Sequence, residues 1–203
     1  MKVKVCGLRD NFLEVVGLQP DFAGLIFYEK SSRFVEKNQS FEVKAKLASV
    51  QKVGVFVNAE KDYIFKKIQE YNLDLVQLHG FETPEFCAAV RQKIPVIKAF
   101  GINSQNDFNC LESYLNSVDF FLFDTKTLSY GGSGEKFNWD CLKNVSISKP
   151  FFLSGGISLD DIPIVKTLKI NNLIGVDLNS RFEISPTFKD IEKLRKAINL
   201  LKK

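Results

Sequence analysis

Short runs of apolar, β-branched and aromatic residues recur along the chain, separated by stretches with the apolar spacing of amphipathic helices. The runs are KVKVC (2–6), FAGLIFY (22–28), KVGVFV (52–57), DLVQL (74–78), PVIKAF (95–100), VDFFLF (118–123), PFFLS (150–154) and LIGVDL (173–178). Helix-like segments lie among them: FEVKAKLASV, KDYIFKKIQEY, PEFCAAVRQKI, LDDIPIVKTLK and, after the last run, IEKLRKAINLLKK. This alternation calls for a parallel sheet covered by helices. Eight units in 203 residues fit one closed (β/α)8 TIM barrel spanning 1–203. An open doubly wound sheet is the alternative, but the first turn, CGLRDN, has one glycine and lacks the dinucleotide fingerprint.

Run starts fall mostly 20 to 23 residues apart, but two intervals stretch to about 30. The extra residues follow the second and sixth runs, in YEKSSRFVEKNQS and TKTLSYGGSGEKF. In a barrel these loops lie at the C-terminal face, where active sites form, and long loops in a compact domain carry function. GGSG (131–134) reads as a mobile element of the sixth loop.

Composition narrows the classes. Hydrophobic content of 45%, charged content of 26% and a net charge of +4 describe a soluble globular domain without a clustered basic patch for nucleic acid. There is no apolar run of membrane-spanning length and no signal-peptide core, so a cytoplasmic protein is expected. Cys6, Cys87, Cys110 and Cys141 form no C-x-x-C pair, and His79 is the sole histidine, which disfavours a zinc site. Reduced thiols follow, with the last three cysteines read as packing.

Cys6 ends the first strand, where it faces the barrel mouth. Core filling is the plain alternative, because free cysteine is often buried. Asp124 follows four apolar residues at the sixth strand's mouth end and suits a general acid across a small substrate; capping a turn is its alternative. Burial there would raise its pKa, as an acid requires. Arg33 in SSRFV could receive a carboxylate or phosphate, or simply be solvated. SGGI (154–157) and NS (179–180) resemble the phosphate site that barrels build after strands seven and eight. Lys4 shares a strand face with Cys6 and would favour its thiolate unless an inward acid such as Asp177 neutralises it. Lys98, Gln77 and Asp177 also interrupt apolar strands, and such groups must find partners.

Taken in order, KVCGLRD, GLIFYEKSSRFV, KVGVFVN, VQLHG, VIKAFGI, FLFDTKTLSYGGSGEKFNW, LSGGI and GVDLNSRFE resemble the phosphoribosylanthranilate isomerase family of tryptophan biosynthesis. The resemblance covers essentially the whole chain. It implies a (β/α)8 barrel that catalyses an Amadori rearrangement of a phosphorylated substrate, without metal or organic cofactor. It matches Cys6 to the general base, Asp124 to the general acid and Arg33 to the arginine that holds the anthranilate carboxylate. Gly155, Gly156 and Ser180 fall in the phosphate-binding loops, and Asp177 at a polar position ending strand eight. The first helix, NFLEVVGLQP, is compressed, SSR replaces the commoner Ser-Pro-Arg, and Arg181 stands where many members have glycine. The resemblance implies neither nucleic acid nor membrane as a partner, and a monomer or homodimer is expected. Rival readings are another phosphosugar isomerase or epimerase, or a non-catalytic barrel that binds a phosphorylated ligand.

Overall fold

The computed structural model describes residues 1–38, 43, 44, 46–125 and 138–203. Its eight parallel strands close into a barrel: β1 (Lys2–Val5), β2 (Phe22–Ile26), β3 (Gln51–Phe56), β4 (Leu75–Leu78), β5 (Val96–Ile102), β6 (Phe120–Thr125), β7 (Phe151–Leu153) and β8 (Leu173–Leu178). Each strand pairs with its sequence neighbour, and β1 closes on β8 with Lys4 opposite Asp177. The helices are α1 (Phe12–Gly17), α2 (Lys61–Tyr71), α3 (Pro84–Arg91), α4 (Leu111–Tyr114), α5 (Ile162–Thr167) and α6 (Ile191–Lys202).

Local chemistry sets several helix ends. Thr83 caps α3 by accepting from Phe86 N, with Pro84 in the first turn, where its missing N–H costs nothing. Asp190 caps α6 by accepting from Lys193 N. Leu194, Ala197, Ile198 and Leu201 form the buried stripe of α6.

The expected helix at FEVKAKLASV is a correction, because its described residues (43, 44 and 46–50) contain no α-helix. Their place in the core is taken by single anchors, Val43 and Val50. A second departure is a small antiparallel pair after β8, β9 (Glu183–Ser185) with β10 (Phe188–Lys189). The GGSG segment lies outside the described residues.

Three aspartates at the strand starts repeat one device. Asp21, just before β2, accepts from Val3 N at 2.8 Å; Asp74, before β4, accepts from Lys52 N at 2.8 Å; Asp119, before β6, accepts from Val96 N at 2.9 Å. Each carboxylate satisfies an amide at the open end of the preceding odd-numbered strand.

Inside the barrel, Phe22, Val53, Leu75, Ile97, Leu122 and Phe152 form an apolar plug. Strand side chains alternate, so a step of two residues toward the C-terminal end leads from this plug to the mouth. That step runs from Leu75 to Gln77 and on to His79, from Leu122 to Asp124, and from Phe152 to Ser154. On β1 Lys4 points inward, and Cys6, one residue past the strand's end, follows on the same face. The plug thus forms the floor of the site.

Candidate active site

Cys6 lies just past β1, 4% exposed, its amide bonded to Leu178 O at 2.9 Å. Its sulfur fills the space beside Gly24 of β2, where an added Cβ would stand 2.8 Å from Sγ. A larger residue at 24 would push the thiol aside. Burial raises the Cys6 pKa; Lys4 opposes this, Asp177 adds to it and Lys189 opposes it.

Lys4 is fully buried and does not face solvent. Its Nζ donates to Asp177 Oδ2 at 2.7 Å. Asp177 and Cys6 together hold the ammonium charged against the cost of burial. The second oxygen of Asp177, Oδ1, is buried without a hydrogen-bond partner among the described residues.

Asp124 sits within β6, one residue from its end, and β7 and β8 separate it from β1 on the shorter way round. Burial is the main cause lifting its carboxyl to about 6 and Asp177 the next, while Thr125 N–H, Ser154 and Lys4 pull the other way. Gly155 packs so closely here that an added Cβ would collide with Thr125 Oγ1 and stand 3.2 Å from Asp124 Oδ1. Gly155 and Gly156 both have positive φ, +90° and +59°, which glycine adopts without strain. The neighbouring loop after β8 carries the half-buried Ser180 at the start of a 3-10 turn, so both phosphate-loop candidates lie side by side at the mouth.

Arg33 is buried, and its Nε and one terminal nitrogen bond Glu183 at 2.6–3.0 Å. The expected carboxylate receptor therefore already has a carboxylate along one edge. Arg181 is exposed. Cys87 is buried and the partly buried Cys141 packs against the core, both as expected, but Cys110 is exposed, which corrects its reading as packing. Cys110 stands just before the four-residue α4, which leaves one side of it open.

His79, which in the sequence alone bears only on zinc, stands at the mouth beside Asp124. Gln77 Nε2 lies 3.0 Å from His79 Nδ1, and His79 Nε2 lies 3.5 Å from Asp124 Oδ2. An amide donating to Nδ1 leaves the ring proton on Nε2, toward Asp124. Burial, Lys98 and Lys4 push the His79 pKa down to about 3 and so keep the ring neutral. Lys98 faces outward from the barrel; its Nζ donates to the carbonyls on either side of His79, Leu78 O at 3.3 Å and Gly80 O at 2.8 Å, and to Glu82 at 3.1 Å. The signal available was position: VQLHG places His79 where its strand meets the mouth.

A closed barrel with a buried thiol, a raised carboxyl and paired cations at its C-terminal mouth defines an enzyme of the (β/α)8 class. The profile of the N-(5'-phosphoribosyl)anthranilate (PRA) isomerase family matches residues 3–200, and the chain belongs to that family. It is 42% identical to the N-(5'-phosphoribosyl)anthranilate isomerase of Parabacteroides distasonis, over 98% of this chain and 92% of that one. Among solved structures, phosphoribosyl anthranilate isomerase from Thermotoga maritima superposes with a TM-score of 0.88 at 32% identity, covering 100% of this chain and 98% of the other. Another solved phosphoribosyl anthranilate isomerase, at TM-score 0.82 and 28% identity over 100% and 98% of the two chains, holds reduced 1-(o-carboxyphenylamino)-1-deoxyribulose 5-phosphate. No helix among the described residues is long and apolar enough to cross a membrane.

Proposed function

We propose that the chain converts N-(5'-phosphoribosyl)anthranilate into 1-(2-carboxyphenylamino)-1-deoxyribulose 5-phosphate, with Asp124 as general acid and Cys6 as general base. The observation that carries this reading is the Lys4–Asp177 pair, whose charges act on both Cys6 and Asp124. One buried ion pair thus couples a thiol and a carboxyl that are not neighbours in sequence. The carboxyl at about 6 retains a protonated fraction near neutrality, as an acid needs.

Asp124 gives its proton to the furanose ring oxygen as the C1–O bond breaks, and the nitrogen lone pair forms the C1=N bond of a Schiff base. Cys6 thiolate takes the proton from C2, and that electron pair moves through C1 to nitrogen, leaving an enolamine. The enol hydroxyl then returns a proton to Asp124 while the Cys6 thiol protonates C1. Both groups end as they began, and atoms and charge balance. The oxidation of C2 is matched by the reduction of C1 within the same substrate, so the steps require no external redox group.

Arg33 takes the anthranilate carboxylate. Gly155, Gly156 and Ser180 take the phosphate, and Asp177 Oδ1 takes a sugar hydroxyl. A cytoplasmic monomer or homodimer acting on a small phosphorylated substrate belongs to the same reading, supported by the biosynthetic family. Loss of substrate fluorescence on adding purified protein to phosphoribosylanthranilate tests it. Fluorescence that persists while the substrate is shown to bind would leave the non-catalytic binding barrel standing.

A further inference from the structure

Lys189 is a buried cation whose charge lowers the Cys6 pKa but which has no binding or proton-transfer role in the chemistry proposed above. It has no exposed surface, yet it lies at the mouth, on β10. Its backbone is clamped on both sides by one side chain: Asn11 Nδ2 donates to Lys189 O and Lys189 N donates to Asn11 Oδ1, both at 2.9 Å. Its Nζ donates to Glu183 Oε1 at 2.8 Å and to Asn179 Oδ1 at 2.8 Å. Glu183 is the carboxylate that grips Arg33. Asn179 is the residue immediately before Ser180, and an added Cβ at Gly7 would stand 2.6 Å from Arg33 Cδ and 2.8 Å from Asn179 Oδ1. One ammonium thus touches the partner of the carboxylate receptor and the start of a phosphate loop.

We infer that Lys189 is a positioning residue that ties the two anion-binding ends of the site together, Arg33 through Glu183 and the Asn179–Ser180 turn directly. This rests on the binding roles proposed above for Arg33 and Ser180. The charges agree with it. With Cys6 as the neutral thiol, Arg33, Lys189 and Glu183 sum to one positive charge, which leaves the cluster short of one anion, and the aromatic carboxylate of the substrate supplies one. A buried lysine that contacts two substrate-facing segments fixes their separation, and misplacement by about 1 Å at such a site costs on the order of 10²-fold.

The test replaces Lys189 by methionine, which keeps length and removes the charge, and uses anthranilate and inorganic phosphate as separate competitive inhibitors. The expected result is a KM raised about tenfold or more, with inhibition by both probes weakened and kcat falling less than KM rises. Weakening of one probe alone, or of neither, overturns the proposal. Should Lys189→Met fail to fold, Glu183→Gln and Asn179→Ala replace it. Glu183→Gln is then expected to weaken anthranilate and Asn179→Ala to weaken phosphate, and any other pattern counts against the link. A wild-type enzyme that neither probe inhibits competitively would instead sink the binding roles on which the inference rests.

Discussion

Lys4 Nζ lies 2.7 Å from Asp177 Oδ2 inside the barrel, so the cation beside Cys6 is already shared with an acid. The two have opposite effects on the thiol: Lys4 lowers its pKa and Asp177 raises it. With burial added, the thiol stands above its ordinary range while the Asp124 carboxyl stands near 6. On the mechanism proposed above, the competent pair, thiolate with carboxylic acid, is then the minority state between those values. The lower limb of the pH profile belongs to Asp124 and the upper limb to Cys6. Lys4→Met should raise both limbs, the upper one more, and so depress the plateau, because Lys4 lowers Cys6 more strongly than Asp124. Asp177→Asn should move both limbs down, because Asp177 raises both groups. Thiol alkylation rate against pH, read beside kcat/KM, checks the assignment, and curves that superimpose on wild type would remove Lys4 and Asp177 from the tuning.

Asp124→Asn keeps the size of the side chain and removes the transferable proton. The fold should persist, since the residue's bonds are to Thr125 N and to neighbours at the open mouth. Turnover should fall by about 10²–10⁴-fold, the usual cost of losing a positioned acid. Circular dichroism with steady-state kinetics checks both halves. Activity within a few-fold of wild type would reduce Asp124 to a turn residue.

Glu183 occupies the edge of Arg33 formed by Nε and one terminal nitrogen, which leaves the end between the two terminal nitrogens for the carboxylate in the role proposed above. Arg33→Ala should raise KM by about one to two orders of magnitude, matching roughly 1.5–3 kcal/mol for a charged hydrogen bond. Lysine should restore little, because a point charge cannot meet Glu183 and the substrate with one planar fork. An unchanged KM in the alanine variant would take Arg33 out of the site.

The strands were legible because each carries a dense apolar run, and Cys6 and Asp124 because each breaks or ends one. The closing order, β1 against β8, followed from eight units and could be checked only in three dimensions. Asn179 was legible only as part of the NS turn, and Glu183 and Lys189 were not legible at all. They gain meaning only when the β9–β10 turn folds back over the first two loops, which brings Lys189 to Asn11 across 178 positions. His79 was visible as a residue but not as a partner, since its neighbour Asp124 comes from a strand two places away in the barrel. FEVKAKLASV has helical spacing, but its segment meets the core through isolated valines.

His79 also leaves a signature in acid. Its folded pKa is depressed to about 3, while the unfolded chain protonates the ring near 6.5. Between those values the unfolded state binds the extra proton, so His79 costs stability as pH falls from about 6.5 toward 3. Asp124 works the other way: raised to about 6, it takes up its proton in the folded state first and adds stability as pH falls through 6. His79→Gln removes the first effect and keeps the second. The variant should therefore lose less stability than wild type between pH 7 and pH 4, read as the shift in thermal midpoint. An equal shift in both proteins would mean that His79 titrates normally in the fold.

The aspartates at the strand starts make the last prediction, one about stability alone. Asp74 accepts from Lys52 N, lies at the end of the barrel away from the mouth, and is the simplest of the three to read. Asp21 also approaches Lys2 and Lys202, and Asp119 also binds Arg91. Asp74→Ala leaves the amide of Lys52 without its acceptor in a partly buried place, at a cost of about 1–2 kcal/mol. Asparagine keeps a side-chain oxygen in the same position and should recover much of that loss. The urea midpoint should fall in the alanine variant with the slope of the transition unchanged, since the native contact is lost but the surface exposed on unfolding is not. KM and kcat should stay at wild-type values, because the apolar plug separates this end from the site. A fall in kcat/KM matching the fall in stability would show that the clamp reaches the mouth, and that the plug does not isolate the two ends of the barrel.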